Sequence, residues 1–199
     1  MSHVLLDVSM SLDGYIAGPH VRGGQPMGEE GERLHAWMFN GETDQTGERA
    51  SASEIDAGVQ REIVEGIGAM VIGYRTFDVG IGPWGGTPFP VPCFVPSRAA
   101  RPDMAAGGGT FAFVTDGIEA ALDRASEAAG HRAVCVMGAA TAQQCLAAGR
   151  LDEIQIHLVP ILLGGGTRLF DRLDHHLKLG QAEVIESPYV THLRYRILT

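Results

Sequence analysis

The chain has 199 residues, of which 45% are hydrophobic and 20% charged, and its formal net charge is −9. This length favours one globular domain, and the composition excludes a wholly disordered chain. The acidic balance without a basic cluster argues against a nucleic-acid partner, and no apolar run is long enough for a transmembrane helix, so we expect no membrane association.

The cysteines and the first residues bear on the cellular compartment. Cys93, Cys135 and Cys145 are odd in number and lack the C-x-x-C spacing of metal and redox motifs. No basic segment precedes an apolar run at the amino terminus, as it would in a signal peptide. We therefore expect buried thiols and a cytoplasmic protein.

The first part of the chain predicts a strand, a long loop and a short helix. Residues 3–10 are apolar and β-branched, as in a buried strand, and residues 18–31 hold five glycines and two prolines, as in a loop. Residues 32–39 show a short helical pattern. The polar residues 40–51 indicate a mobile surface connection.

The next elements begin at a helix signal. Ser53 followed by Asp56 has the spacing of a capping box, and apolar residues then recur at four-residue steps as far as Gly66. After this helix the pattern predicts a buried strand at 69–73, a loop at 80–92 and a short strand at 92–96.

The second half alternates between strands and helices. It predicts a strand at 110–115, a helix capped by Asp116 and Glu119, a strand at 133–137, a helix at 141–148, a strand at 154–163, and strands at 182–186 and 190–198. Such an order favours a single domain over residues 1–199. Its fold class is a three-layer α/β/α sandwich with a mixed, mostly parallel sheet and a C-terminal antiparallel hairpin.

Several common enzyme motifs are absent. The sequence has no Walker A loop, no zinc-deaminase signature and no G-x-S-x-G elbow. The glycines at 107–109 lead into a predicted strand, unlike a Rossmann fingerprint. His175 and His176 are neighbours without further ligands, so we expect no metal site.

Three segments at the ends of predicted strands carry residue types that bind phosphate. They are GYRTF at 73–77, PSR at 96–98 and MGAAT at 137–141. The first two place an arginine beside a hydroxyl, and the third starts a helix whose N–H groups would face an anion. The alternatives are solvated arginines and tight strand–helix packing with Thr141 as N-cap. Because ligands of open α/β sheets bind beyond the carboxyl ends of the strands, the three together favour a phosphorylated dinucleotide.

Five segments, in this order, resemble the dihydrofolate-reductase-like family typified by the reductase domain of the riboflavin-biosynthesis deaminase–reductases. They are SMSLDGYIAG at 9–18, VIGYRTF at 71–77, MGA at 137–139, GRLDEI at 149–154 and VPILLGGGTRLFD at 159–171. The resemblance covers nearly the whole chain, and its last segment is the most specific. Because the deaminase half is missing, the chain resembles stand-alone reductase-like members.

The resemblance implies an NADPH-binding fold that is usually a homodimer. Arg75 and Thr76 would contact phosphates, and Ser97 and Arg98 the adenosine 2′-phosphate. The turn at 138–141 would cradle the pyrophosphate, the loop at 12–16 would cover the nicotinamide, and residues 164–166 would form a second wall. The implied cofactor-binding residues are Ile16, Gly73, Arg75, Thr76, Ser97, Arg98, Gly138, Ala139, Ala140, Thr141, Gly164 and Gly165. The family often has two glycines at the pyrophosphate turn, where this chain has one followed by two alanines.

The substrate side is less marked in the sequence. Dihydrofolate reductases hold a buried carboxylate on their first helix, and Leu34 is the residue that matches it here. Dihydrofolate is therefore a doubtful substrate unless Glu32 or Asp7 reaches the pocket. Asp13 is the candidate catalytic group, with a simple turn residue as the alternative. His157 is a further candidate, although a histidine on an internal strand is more often a packed core residue.

Two aromatic residues, Trp37 and Phe170, are candidates for stacking on a planar substrate, with core aromatics as the alternative. The resemblance implies an NADPH-dependent reductase of a small heterocyclic (pterin- or pyrimidine-like) or carbonyl substrate. The alternatives are a protein that binds NADP(H), a pterin or a flavin without turnover, and a purely structural homodimer. The strand at 154–163 or the last hairpin would supply the dimer contact.

Overall fold

The computed structural model describes residues 2–38, 42–43, 49–50, 53–85, 89–106, 109–171, 173 and 176–198. The strands are β1 (Val4–Ser11), β2 (Tyr15–Ala17), β3 (Glu42–Thr43), β4 (Arg49–Ala50), β5 (Ile67–Ile72), β6 (Cys93–Pro96), β7 (Met104–Ala106), β8 (Gly109–Val114), β9 (Ala133–Met137), β10 (Glu153–Val159), β11 (Thr167–Arg168), β12 (Lys178–Glu186) and β13 (Thr191–Leu198). The helices are a 3₁₀ helix (Gly31–Met38), α1 (Glu54–Gly66), α2 (Tyr74–Trp84), α3 (Gly117–Ala129) and α4 (Ala139–Ala147).

Nine of the described strands form one sheet, in the order β12-β13-β10-β1-β9-β5-β6-β8-β7. The six strands from β10 to β8 in that order run parallel, whereas β13, β12 and β7 are antiparallel to their neighbours. Two short antiparallel pairs, β2 with β11 and β3 with β4, lie outside this sheet. The predicted mixed, mostly parallel sheet with a C-terminal hairpin is confirmed.

Alternate residues of the central strands face opposite layers of helices, because side chains of a strand point to its two faces in turn. On β5, Ala69 and Val71 pack in the cluster that includes the alanines of α3 and α4, while Met70 and Ile72 pack with Phe77 of α2. The near-continuous apolar sequence of β5 is therefore what a strand covered on both faces requires.

The loop predicted at 80–92 is wrong for its first residues, because α2 extends to Trp84. Phe77, Ile81 and Trp84 recur at helical spacing and pack in one cluster, which is the signal that the proline at 83 obscured. That proline is tolerated because it lies in the last turn, two residues before a left-handed Gly85 with φ of 63°.

Other boundaries also differ from the prediction. The helix expected to start at Thr141 starts at Ala139 with Gly138 as N-cap, and Asp116 makes no side-chain capping hydrogen bond at α3. The strand expected to reach residue 163 ends at Val159, before a proline. By contrast, the capping box of Ser53 and α1 is confirmed. The predicted mobile connection at 40–51 falls mostly outside the described residues.

Candidate functional site

Two glycine turns lie side by side at the carboxyl ends of the neighbouring strands β5 and β9. Gly73 and Gly138 are the N-caps of α2 and α4, and neither helix has a side-chain capping hydrogen bond. The amide N–H of Gly73 donates to the carbonyl of Met137 at 3.0 Å, which joins the two turns. The first three N–H groups of a helix have no partner within it, so two sets of donors and two positive helix ends point to one place.

The turns interlock through a hydroxyl from each helix. A Cβ at Gly73 would lie 2.5 Å from Oγ1 of Thr141, and a Cβ at Gly138 would lie 2.7 Å from Oγ1 of Thr76. Gly138 also has φ of 101°, a conformation that side-chain-bearing residues rarely adopt. The four residues therefore bring backbone amides within close reach of an anion, as a dinucleotide pyrophosphate requires. Of the remaining predicted residues here, Ala139 is buried and Ala140 is exposed at the helix start.

Three exposed arginines lie on the segments that follow β5 and β6, and the sequence prediction named only two of them. The exposed Arg75 donates from Nη2 to the carbonyl of Val21 at 3.4 Å, which places the glycine-rich loop at 18–31 against the site. Arg98 is exposed after β6. Arg101 is the residue that was missed: its Nη1 donates to the Tyr74 hydroxyl at 3.0 Å, and its guanidinium lies 4.8 Å from the Phe113 ring centre.

The hydroxyl predicted beside Arg98 is engaged locally. Ser97 donates from Oγ to the carbonyl of Ala99 at 2.7 Å, and its amide donates to Val114 at the end of β8. The Ser97 hydroxyl is therefore already bound to the backbone of its own segment. A second basic residue three positions beyond Arg98 was the sequence signal that could have identified Arg101.

Asp13 ties the connection after β1 to the segment after β10. Its Oδ1 accepts from the Ser11 hydroxyl at 2.6 Å and from the Leu163 amide at 3.2 Å, and its Oδ2 accepts from the Gly164 amide at 2.7 Å. The Ser11 hydrogen bond first, and those from Gly164 and Leu163 after it, hold the pKa of Asp13 below its usual range. This arrangement suits an ionised carboxylate that positions a loop, and a catalytic role for Asp13 stays a prediction.

The other residues predicted near the nicotinamide lie around this connection. Ile16 is on β2 and packs against the main core cluster. Gly164 belongs to the Asp13 contact, and a Cβ at Gly165 would lie 3.5 Å from Pro19. The structure thus brings these residues together with the glycine-rich loop.

The two candidate stacking aromatics lie apart. Trp37 is 2% exposed and belongs to a small cluster with Leu34, whereas Phe170 is 38% exposed. Phe170 lines a separate apolar groove of about 450 Å³ with Leu146 and Ile154, among others. Two imidazoles and the core cover the Trp37 ring, and stacking of either aromatic on a substrate stays a prediction.

Those imidazoles belong to a buried polar chain beneath the 3₁₀ helix. Nδ1 of His157 lies 2.7 Å from Nδ1 of His192, and the other nitrogen of each ring faces a carboxylate, Asp7 at 3.1 Å and Asp56 at 2.9 Å. Trp37 packs on both rings, with centroid distances of 4.5 and 5.0 Å. The sequence could not pair His157 with His192, because strand register alone brings them together.

Neither a metal site nor a membrane span is found in the described part of the chain. No group of three or more His, Cys, Asp or Glu side chains there could hold a metal ion. No described helix is long and apolar enough to cross a bilayer.

Residues 2–192 match the family model described as the RibD C-terminal domain. A putative riboflavin biosynthesis protein from Shewanella sp. PV-4 is similar in structure, with a TM-score of 0.73 at 22% identity over 99% of each chain. A pyrimidine reductase-like protein from Corynebacterium diphtheriae gives 0.61 at 12% identity, over 99% of this chain and 92% of that one. Dihydrofolate reductase from Enterococcus faecalis, complexed with NADP(H), gives 0.55 at 14% identity, over 98% and 96%.

No curated protein sequence matches the chain. At these identities the solved structures establish a dihydrofolate-reductase-like fold. The family model spans nearly all of the chain and so confirms the resemblance seen in the sequence motifs. The chain belongs to the family of RibD C-terminal domains.

Proposed function

We propose that the protein is an NADPH-dependent oxidoreductase that reduces a small heterocyclic, pterin- or pyrimidine-like, or carbonyl substrate. The observation that carries the proposal is the interlocked pair of glycine turns, in which two uncapped helix ends converge beside Arg75. Such a place suits a pyrophosphate. Membership of a reductase-domain family supports the same function.

The residues around the turns fit the cofactor. The amides that follow Gly73 and Gly138 would hold the pyrophosphate, with Thr76 and Thr141 keeping the two turns in register. Arg98 and Arg101 lie on the segment after β6 and would take the adenosine 2′-phosphate. When bound, NADPH supplies the hydride, and the chain supplies its orientation and the protein groups around the substrate.

The family and the 3₁₀ helix both support the proposed substrate class. Leu34, at the position of the acid of dihydrofolate reductases, is 0% exposed in an apolar cluster. This supports a substrate other than dihydrofolate. It also keeps open the alternative of a protein that binds NADP(H) or a pterin without turnover.

Calorimetric titration with NADPH and, separately, NADH tests the proposal. We expect much tighter binding of NADPH, because a charge-assisted contact to the 2′-phosphate contributes roughly 1.5–3 kcal/mol. Arg101→Ala and Arg98→Ala should reduce that preference, and Arg75→Ala should weaken both nucleotides. Arg61→Ala, on the exposed face of α1, is the control.

Turnover is tested by oxidation of NADPH with a panel of pterins, pyrimidines and quinones. Binding without oxidation of NADPH would favour the non-catalytic alternative. Absence of binding to either nucleotide would contradict both functions.

We also infer a homodimer and a cytoplasmic location. The hairpin of β12 and β13 carries exposed apolar side chains, Leu179 and Val184, beside the groove lined by Phe170. A second copy of the chain would cover this surface. The cysteines Cys93, Cys135 and Cys145 are all buried, which fits a reducing compartment.

A further inference from the structure

Four side chains are hydrogen-bonded in a row, which is buried at one end and partly exposed at the other. In order they are Asp56, His192, His157 and Asp7. The side chains of Asp56, His192 and His157 are 0 to 2% exposed, whereas that of Asp7 is 18% exposed. Buried ionisable groups are costly unless each is paired and hydrogen-bonded. The order of proton donors and acceptors along the chain is therefore tightly constrained.

The constraint begins at Asp56, which is the third residue of α1, belongs to its capping box and faces His192. Burial raises the pKa of Asp56, but hydrogen bonds from Ser187, His192 and Ser53 outweigh it and hold the pKa below its usual range. The carboxylate is therefore ionised and accepts from Nε2–H of His192. Burial lowers the pKa of His192, so this ring is neutral and carries its single hydrogen on Nε2.

The remaining positions follow from this tautomer. Nδ1 of His192 has a lone pair, and Nδ1 of His157, at 2.7 Å, must donate to it because two facing lone pairs would repel. His157 then has its Nε2 left for Asp7, at 3.1 Å from Oδ2. The geometry accommodates one further proton between Asp7 and His157. With this proton included, the four side chains carry a net charge of about −1. Without that proton, a bare nitrogen would face a carboxylate.

Asp7 lies next to one of the two glycine turns. Leu6 pairs with Val136 in the register of β1 and β9, so Asp7 adjoins Met137, which directly precedes the Gly138 turn. The other titratable groups that face Asp7 are Cys135 from β9 and His35 from the 3₁₀ helix. Burial raises the pKa of the Cys135 thiol, so this group stays a thiol.

His35 gives an independent indication of a ligand beside Asp7. Its Nδ1 is buried and makes no hydrogen bond of good geometry to a described residue, although the backbone of Gly31 faces the ring and raises its pKa. Burial lowers the pKa of His35 to about 4, so the ring is neutral at physiological pH. A planar heterocycle with N–H groups could hydrogen-bond both to the buried Nδ1 of His35 and to the partly exposed carboxyl of Asp7.

We propose that Asp7 is the general acid of the reductase. His157, positioned by His192 and Asp56, shares with Asp7 the proton that Asp7 transfers to the substrate. This inference rests on the proposed function. In the reaction a C=N or C=O bond of the substrate gains a hydride at carbon, and its π electrons move to the heteroatom, which takes the proton held between Asp7 Oδ2 and His157 Nε2. The substrate is reduced by two electrons, NADPH is oxidised to NADP⁺, and the pair regains one proton from water.

Imidazole ¹H–¹⁵N spectra of the protein alone test the proton arrangement without any turnover. We expect His192 as the neutral Nε2–H tautomer at pH 7 and His157 with a hydrogen on Nδ1. In Asp7→Asn, Nε2 of His157 should show the shift of a nitrogen without hydrogen. A His192 with its hydrogen on Nδ1, or a His157 spectrum unchanged by Asp7→Asn, would overturn the proposal.

The pH profile of NADPH oxidation tests the catalytic role, with whichever panel substrate is reduced fastest. The unaltered protein should lose kcat as pH rises, and Asp7→Asn should lower kcat by about 100-fold and remove that pH dependence, as loss of a general acid does. NADPH affinity should change less than about twofold. Asp123→Asn, at a surface ion pair with Arg150, is the matched control.

The outcomes separate this inference from the proposed function. Full activity and an unchanged pH profile in Asp7→Asn would overturn the role of Asp7 while leaving the reductase function intact. Absence of NADPH binding and turnover in the unaltered protein would overturn the reductase function and the donor role with it, and the imidazole spectra would then report the proton arrangement alone.

Discussion

Gly73 and Thr141 meet where the two glycine turns interlock, and their contact is tight enough to test by substitution. A Cβ at Gly73 would lie 2.5 Å from Thr141 Oγ1, although the φ of −59° at this glycine suits any residue. We therefore expect Gly73→Ala to destabilise the protein by about 1–3 kcal/mol through overpacking alone. Urea unfolding measures this loss, and nucleotide affinity should fall with it because the turns are forced apart.

Thr141→Ala supplies the other half of a double-mutant cycle. It removes the hydroxyl, so Gly73→Ala should cost clearly less in that background than in the unaltered protein. The control is Gly58→Ala on α1, where a Cβ meets nothing within 4 Å, and which should stabilise the helix by about 0.5–1 kcal/mol. Additive losses in the cycle would mean that the turns do not interlock.

The same two turns show how far single residues can be predicted from sequence. Gly73 and Gly138 follow buried strands, and that local order was enough to place both at strand ends. The alternative of Thr141 as an N-cap is wrong, because Gly138 caps α4 and the Thr141 hydroxyl packs over a glycine that is 68 positions earlier in the chain. Local patterns carry no information about such a partner.

The connection after β1 is an element whose position depends on one carboxylate. Asp13 accepts hydrogen bonds from the amides of Leu163 and Gly164, and Leu12 donates to the carbonyl of Ile161 at 2.9 Å. Asp13→Ala removes the first two of these contacts. We expect hydrogen exchange at Leu163 and Gly164 to accelerate about tenfold or more, because local opening no longer breaks those bonds.

A second turn aspartate provides the control for this exchange measurement. Asp116 also follows a strand but makes no side-chain capping hydrogen bond at α3. Asp116→Ala should therefore leave the amide exchange of Leu163 and Gly164 unchanged. Equal exchange rates in Asp13→Ala and the unaltered protein would show that the connection is held by its backbone contacts alone.

Elements were predicted well where the signal was local and less well where it depended on packing. The capping box at Ser53 and the alternation of strands and helices after residue 110 gave correct elements, since both are read within a few residues. The helix α2 was missed because Pro83 and the nearby glycines suggested a loop, whereas apolar residues at helical spacing decided the structure. The pairing of His157 with His192 required the register of two strands, which no local pattern supplies.

For the molecule as a whole, the sheet leaves one apolar surface at its β12 end. Leu179 and Val184 are 44% and 42% exposed, and they pair with Ile197 and Leu193, which point to the same face of the sheet. A helix layer covers the central strands on this face, whereas these two side chains stand exposed beside the groove lined by Phe170. Burial of such a surface against a second copy is what the proposed homodimer requires.

Light scattering after size exclusion measures the assembly directly. We expect a mass twice the 21.2 kDa of the chain, and a single-chain mass for the double variant Leu179→Asp and Val184→Asp, because each charge would have to be buried in the contact. Val64→Asp is the control, since Val64 is 63% exposed on α1 and lies on the opposite face of the sheet. A single-chain mass for the unaltered protein would contradict the homodimer. A dimer that persists in the double variant would show that the contact lies on another surface. Since Asp7 and the glycine turns belong to one chain, the monomeric variant should still bind NADPH with unchanged affinity.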